Sequence, residues 1–130
     1  MSIAAVIQMV STYDIDSNLS AAEDLLKEAA AEKASLAVLP ENFAVFSAKQ
    51  MIEKGAEESE ATGRIRSFLA DIAAELNLWI VAGTVPSSAR PDGTYINGKI
   101  RSSCRVYNIY GKEMARYDKI HLFDADVEDN

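Results

Sequence analysis

Short apolar runs alternate in this chain with longer segments in which apolar residues recur every three or four positions. The runs at 3–9, 36–39 and 78–85 lack helical spacing, so they predict buried strands. The run at 36–39 is apolar throughout, which predicts burial of both faces of that strand. Because strands that are separated by helices usually pair in parallel, the alternation predicts a sheet with parallel strands. The first intervening segment carries the apolar stripe of an amphipathic helix: Leu19, Ala22, Leu25, Leu26 and Ala29.

Asp16 or Ser17 is predicted to cap this first helix. A second helical stripe runs from Ile65 to Leu76 and precedes the strand at 78–85. Between 42 and 60 the pattern is ambiguous, because several apolar residues occur where a loop is expected. The ambiguous apolar residues are Phe43, Val45 and Phe46.

The last part of the chain predicts a β-hairpin. A long connection with turn signals at 91–93 and 97–98 leads to predicted strands at 99–109 and 113–117. These two strands are joined tightly around Gly111, which is typical of an antiparallel hairpin. The predicted order is therefore β-α-β-α-β-β-β, an α/β fold with a mixed sheet.

The composition argues against several classes of function. The formal net charge of −7 argues against nucleic acid or an anionic membrane as a partner, since both select basic surfaces. No apolar stretch approaches the length of a membrane span, and residues 1–8 do not resemble a signal peptide. One cysteine, Cys104, and one histidine provide no disulfide framework and too few ligands for zinc. We therefore expect a cytoplasmic protein without a structural metal. No motif for a phosphate-containing cofactor occurs, and none is expected.

Glu41 and Lys119 occupy similar positions at predicted strand ends. Glu41 follows the apolar strand at 36–39, and Lys119 follows the strand at 113–117. Ligands of α/β folds gather at such strand ends. There a carboxylate beside a desolvated edge can act as a general base, and an ammonium group can stabilise a developing anion. The alternative for each residue alone is an exposed, solvated charge.

His121 and Cys104 are further candidates for chemistry. The alternation along 119–122 would place Lys119 and His121 on one face, where the histidine could act as a base. We favour a role in which His121 orients another group or caps the backbone. Cys104 could be a nucleophile, but it lies in the body of a predicted strand, whereas a nucleophile needs a sharp turn that exposes it. A structural role is therefore predicted for Cys104.

These segments together resemble the nitrilase, or carbon–nitrogen hydrolase, superfamily over nearly the whole chain. The most specific part is Arg-Tyr-Asp-Lys-Ile-His-Leu-Phe-Asp at 116–124, in its order and spacing relative to Pro40-Glu41. The His-Leu-Phe-Asp ending looks most like the Nit branch, whose members act as amidases on small carboxylate-bearing amides. Weaker matches lie at 4–9, 38–41, 81–84 and 107–112.

The resemblance implies a mechanism and an incomplete fold. It implies that Glu41 is the general base and that Lys119 stabilises the tetrahedral oxyanion in a Glu-Lys-Cys triad. The family's nucleophilic cysteine and a second glutamate follow later than Asn130. We therefore expect residues 1–130 to be one incomplete domain, the N-terminal part of an α-β-β-α sandwich, and to be inactive alone. The resemblance also implies a small amide substrate, of the ω-amidase or deaminated-glutathione-amidase type, no cofactor, and a homodimer at full length.

Two other hypotheses stay open at the level of sequence. The chain could be a truncated, non-catalytic binding or interaction module whose exposed apolar sheet face associates with a partner. It could also be an unrelated small α/β binding domain. In that case Glu41 and Lys119 should lie far apart in the folded chain.

Overall fold

The computed structural model describes residues 1–121, which form one five-stranded mixed sheet and three helices. The sheet order is β1-β2-β3-β4-β5; β1, β2 and β3 pair in parallel, whereas β4 is antiparallel to both β3 and β5. The predicted mixed α/β sheet and its hairpin are therefore confirmed. The strands are β1 (Ala4–Val6), β2 (Leu36–Leu39), β3 (Trp79–Ser87), β4 (Arg101–Tyr107) and β5 (Glu113–Asp118), and the helices are α1 (Ile15–Ala31), α2 (Ala48–Glu57) and α3 (Arg64–Leu76).

Two helix features differ from the prediction. The cap of α1 is Asp14, whose carboxylate accepts hydrogen bonds from the backbone N–H groups of Asp16 and Ser17 at 3.0 and 3.3 Å. The prediction that Asp16 or Ser17 caps the helix was therefore wrong, because both residues already lie in its first turn. The ambiguous segment at 42–60 contains α2, in which only Gly55 is buried. Its small and apolar residues do recur at helical spacing, at Ala48, Met51, Ile52 and Gly55, but the stripe is short and lies among charged residues, which left the segment ambiguous.

The helices cover one face of the sheet. On that face Ala37, Ile80 and Tyr107 are aligned across β2, β3 and β4 and are at most 3% exposed. No helix among residues 1–121 combines the length and the apolar character that crossing a membrane requires.

The other face of the sheet is open among the described residues. It carries one aligned residue from each strand, here called the valine row: Val6, Val38, Val81, Val106 and Ala115. Val6 is 83% exposed, and Val38 is half-buried. The prediction that β2 is buried on both faces is therefore wrong for residues 1–121, because the helices cover only one side of it.

An ion-pair network ties α3 to the hairpin of β4 and β5. The Arg105 guanidinium donates to Glu113 Oε1 at 2.7 Å, and Arg66 donates to Glu113 Oε2 at 2.9 Å. The Tyr107 hydroxyl also donates to Glu113 Oε2, at 3.2 Å. Glu113 therefore links both strands of the hairpin to the helix beneath them.

Gly111, in the turn between β4 and β5, provides a test of this packing. Its φ is +75°, and a Cβ atom added there would overlap with the backbone carbonyl of Ala70 in α3. Gly93 has a φ of +86° but nothing within 4 Å of an added Cβ, so it isolates the backbone penalty alone. We expect Gly93→Ala to lower the free energy of unfolding by about 1 kcal/mol and Gly111→Ala by about 3 kcal/mol. Urea unfolding of both variants measures the difference, and equal losses would contradict the close contact with Ala70.

Candidate active site

The sheet topology brings Glu41 and Lys119 together at one edge. Because β4 is antiparallel to both β3 and β5, β5 runs in the same direction as β2 and β3. Glu41 lies two residues after β2, and Lys119 lies directly after β5. Lys119 Nζ donates to Glu41 Oε1 at 2.7 Å, although the two residues are 78 positions apart in sequence. This contact contradicts the hypothesis of an unrelated domain in which the two residues lie far apart.

The loop that carries Glu41 is anchored in the core. Phe43, Ala44 and Val45 are at most 1% exposed, which accounts for apolar residues in a segment without regular structure. The buried Asn18 amide of α1 donates to the Ala44 carbonyl oxygen at 2.9 Å. The chain directly after Glu41 is therefore held by both apolar burial and a hydrogen bond to a helix.

Asn42 turns the chain immediately after Glu41. Its φ of +54° lies in the left-handed region, which asparagine adopts more readily than most residues. Its backbone N–H donates to Thr84 Oγ1 at 3.3 Å, and the Thr84 hydroxyl donates to Asn42 Oδ1 at 3.1 Å. This pair of bonds ties the Glu41 loop to β3. Neither residue was predicted to belong to the site, although an asparagine at a strand end is a recognisable turn signal.

Lys119 is held by the end of the hairpin. Its backbone N–H donates to the Ser102 carbonyl oxygen at 2.9 Å, which continues the pairing of β4 with β5. The preceding Asp118 accepts hydrogen bonds from Ser103 Oγ and Arg116 Nε, each at 2.7 Å. Burial raises the pKa of Asp118, but the bonds from Arg116 and Ser103 outweigh it and hold that pKa below its ordinary value. An ionised Asp118 thus fixes the strand end from which Lys119 projects.

A cleft of about 240 Å³ contains the Glu41–Lys119 pair. The Glu41 side chain is 51% exposed and that of Lys119 is 32% exposed, so the described residues leave both groups accessible. The expected desolvated edge is therefore not built by residues 1–121 alone. No group of three or more His, Cys, Asp and Glu side chains in this part of the chain is arranged to hold a metal ion. The residues that line the cleft are Glu41, Thr84, Ser102, Cys104, Tyr117 and Lys119.

Cys104 lines this cleft without the environment of an activated thiol. Burial raises the pKa of the Cys104 thiol, which favours the protonated form over the nucleophilic thiolate. The residue lies in the body of β4, paired with Tyr117 of β5, and not on a sharp turn. Its structural role stays a prediction.

His121 lies beyond the end of the hairpin. Because β5 ends at Asp118 and a bend follows, the strand alternation assumed for Lys119 and His121 does not extend to the histidine. His121 is exposed. The last three positions of the sequence motif, 122–124, lie outside the described residues.

Comparisons with known proteins extend over almost the entire chain. The carbon-nitrogen hydrolase family model matches residues 3–130. The deaminated glutathione amidase of Synechocystis sp. is 34% identical over 128 residues, which cover 98% of this chain and 44% of that protein. The omega-amidase NIT2 of Danio rerio is 35% identical over 124 residues, which cover 95% of this chain and 41% of that protein. The chain thus spans less than half the length of these curated relatives.

Solved structures show the same fold. The Caenorhabditis elegans NitFhit protein has a TM-score of 0.74 and 23% identity, with 95% of this chain and 29% of that chain covered. A mutant amidase from Nesterenkonia sp. AN1, with acrylamide added at its active-site cysteine, has a TM-score of 0.74 and 21% identity, covering 94% and 45%. These structures confirm the nitrilase-type α/β architecture. Since the family model accounts for all but the first two residues, the chain belongs to the carbon-nitrogen hydrolase family.

Proposed function

We propose that this chain is part of an amidase that releases ammonia from a small carboxylate-bearing amide. The observation that carries the proposal is the 2.7 Å contact between Lys119 Nζ and Glu41 Oε1, at strand ends of a carbon-nitrogen hydrolase fold. The activities named for the Synechocystis and Danio rerio relatives support the ω-amidase or deaminated-glutathione-amidase type.

In this proposal Glu41 is the general base and Lys119 stabilises the oxyanion. A cysteine from a part of the protein outside residues 1–130 loses its thiol proton to Glu41 and attacks the amide carbon. The Lys119 ammonium stabilises both the thiolate and the tetrahedral oxyanion. The carbon–nitrogen bond then breaks, Glu41 returns the proton to the leaving nitrogen, and ammonia departs from a thioester. Glu41 next takes a proton from water, which attacks the thioester carbon. The carbon–sulfur bond breaks, the acid departs, and Glu41 returns the proton to the cysteine sulfur. The active-site cysteine of the Nesterenkonia amidase supports this choice of nucleophile.

We further propose that residues 1–130 form one incomplete domain whose open sheet face is covered by the rest of the protein. The valine row supports this, because full burial of an exposed valine such as Val6 contributes about 1.5–3 kcal/mol, and the half-buried valines of the row contribute less. The coverage of only 41–44% of the curated relatives supports it as well. The homodimeric state and the cytoplasmic location expected from the sequence stay predictions.

The test is ammonia release by the protein encoded by the complete gene, compared with residues 1–130 alone. We expect the complete protein to release ammonia from glutaramate and succinamate, and the 130-residue chain to release none. No release by a folded complete protein would overturn the amidase proposal. Release by residues 1–130 alone would overturn the assignment of the nucleophile to another part of the protein.

The open valine row also favours the alternative of a non-catalytic interaction module. The intact mass of the protein purified from its source separates the two proposals. A mass of 14.2 kDa, that of residues 1–130, would favour the interaction module. A mass about twice as large would favour the amidase, since the chain covers 44% of the Synechocystis relative.

A further inference from the structure

A second cleft, of about 270 Å³, shares Lys119 with the cleft described above. All of its charged lining residues are cations, and its other lining residues are isoleucines. No carboxylate lines it among the described residues, although the chain has a net charge of −7. This cationic cleft is formed by Arg90, Lys99, Arg101, Lys119, Ile96, Ile100 and Ile120.

The antiparallel pairing of β4 creates this concentration of charge. Arg90 follows β3, Lys99 lies just before β4, Arg101 begins β4, and Lys119 follows β5. Because β4 runs against both neighbours, its first residues meet the last residues of β3 and β5 at one edge. Arg101 is opposite Ser87 in the sheet register. Four cations from three chain segments therefore converge where the Glu41–Lys119 pair also lies.

Among residues 1–121, the carboxylates near this cleft leave an excess of positive charge. Asp118 lies 3.6 Å from Arg101, but it is already bound by Arg116. Asp92, near Arg90, is exposed and accepts hydrogen bonds from Thr94. With Glu41, three carboxylates of residues 1–121 interact with a group of five cations: Arg90, Lys99, Arg101, Arg116 and Lys119.

One of these cations is already oriented. A terminal guanidinium nitrogen of Arg90 donates to Thr94 Oγ1 at 3.3 Å and to the Tyr95 carbonyl oxygen at 3.2 Å. These bonds are made within the turn that contains Pro91 and Gly93. They restrict the arginine without neutralising its charge, so that it can bind an anion with little further loss of side-chain freedom.

We propose that the cationic cleft binds the carboxylate of a substrate whose amide group lies beside the Glu41–Lys119 pair. This inference rests on the proposed amidase function and assigns the other end of the substrate. Guanidinium and ammonium groups bind carboxylates by charge-assisted hydrogen bonds, and the isoleucines provide apolar contacts for a short carbon chain. Because Lys119 borders both clefts, a small molecule with its amide group at the Glu41–Lys119 pair can extend past Lys119 into the cationic cleft. A neutral amide of similar length lacks the carboxylate that these cations bind. The cleft therefore favours carboxylate-bearing amides over neutral ones.

The double variant Arg90→Gln/Lys99→Gln tests this assignment in the complete protein. We expect the ratio of kcat/KM for glutaramate to kcat/KM for the neutral valeramide to fall roughly 10- to 100-fold, mainly through KM for glutaramate. The matched control is Lys33→Gln/Lys112→Gln, which removes the same charge at the opposite edge of the sheet, before β2 and before β5. Arg90→Lys, which keeps the charge, should retain most of the selectivity. An unchanged ratio, or an equal fall in the control, would overturn the assignment.

Calorimetric binding of glutarate separates this inference from the proposed function, because binding needs no turnover. We expect the Arg90→Gln/Lys99→Gln variant to bind glutarate at least about 10-fold more weakly than the unmodified protein and the control do. Such a loss in a protein that releases no ammonia would support the cationic cleft and overturn only the amidase proposal. Ammonia release with unaltered glutarate binding in the variant would support the amidase and overturn the cationic cleft.

Discussion

Lys119→Ala should lower kcat for ammonia release by at least about 10²- to 10³-fold in the complete protein, because the transition state loses its fixed cation. Glu41→Gln should abolish release as well, since an amide cannot accept the thiol proton. Both variants should fold normally. The Glu41–Lys119 pair is one-third to one-half exposed, and such pairs contribute about 0–1 kcal/mol to stability. Ammonia release and urea unfolding, measured on the same preparations, separate the two effects.

The matched control for these variants is Lys27→Ala. Lys27 Nζ lies 2.6 Å from Glu23 Oε1 in a similarly exposed pair on α1, away from the strand ends. Lys27→Ala should leave turnover unchanged and shift the unfolding midpoint only slightly. Near-normal turnover by Lys119→Ala or Glu41→Gln would refute the assigned roles. If either variant failed to fold, the pair would be required for stability, which would contradict its assignment as a catalytic pair.

Glu113→Ala should lower the free energy of unfolding by about 3 kcal/mol. The Arg105 side chain is 2% exposed and that of Arg66 is 13% exposed, so removal of their shared carboxylate leaves buried cations uncompensated. Among the described residues, Arg105 Nε and one terminal nitrogen already lack hydrogen-bond partners. The partial exposure of Glu113, at 24%, keeps the expected loss near the lower end for a buried pair. Glu53→Ala, at an exposed position of α2, is the control.

The pH dependence of unfolding provides an independent test of this network. Burial raises the pKa of Glu113, but the charges of Arg105 and Arg66 outweigh it and hold that pKa below its ordinary value. A carboxylate with a lowered folded-state pKa contributes stability above its unfolded pKa of about 4.3, and that stability is lost as the pH falls through the folded value. The stability difference between the unmodified protein and Glu113→Ala should therefore be largest near neutral pH and shrink in acid. A difference that grows with acidification would contradict the assigned ionisation.

The sequence by itself determined the strands, the two longer helices and the family. The apolar run at 36–39 matches β2, and the stripe from Ile65 to Leu76 matches α3, because the spacing of buried residues is written directly into a chain segment. α2 was not predicted, because its stripe of Ala48, Met51, Ile52 and Gly55 is short and interrupted by charged residues. The cap at Asp14 was missed because several neighbouring residues could serve equally well. The residue types and positions at 40–41 and 116–124 were enough to indicate the superfamily.

Only the tertiary structure decided which side chains meet. The contact of Glu41 with Lys119 depends on the common direction of β2 and β5, which follows from two successive antiparallel pairings. The cationic cleft depends on the same edge, where Arg90, Lys99 and Arg101 converge from segments with no shared sequence motif. The physical reason is that local patterns record whether each side chain is buried. Distances between remote side chains follow instead from strand order, direction and register, which are set by the packing of the whole sheet.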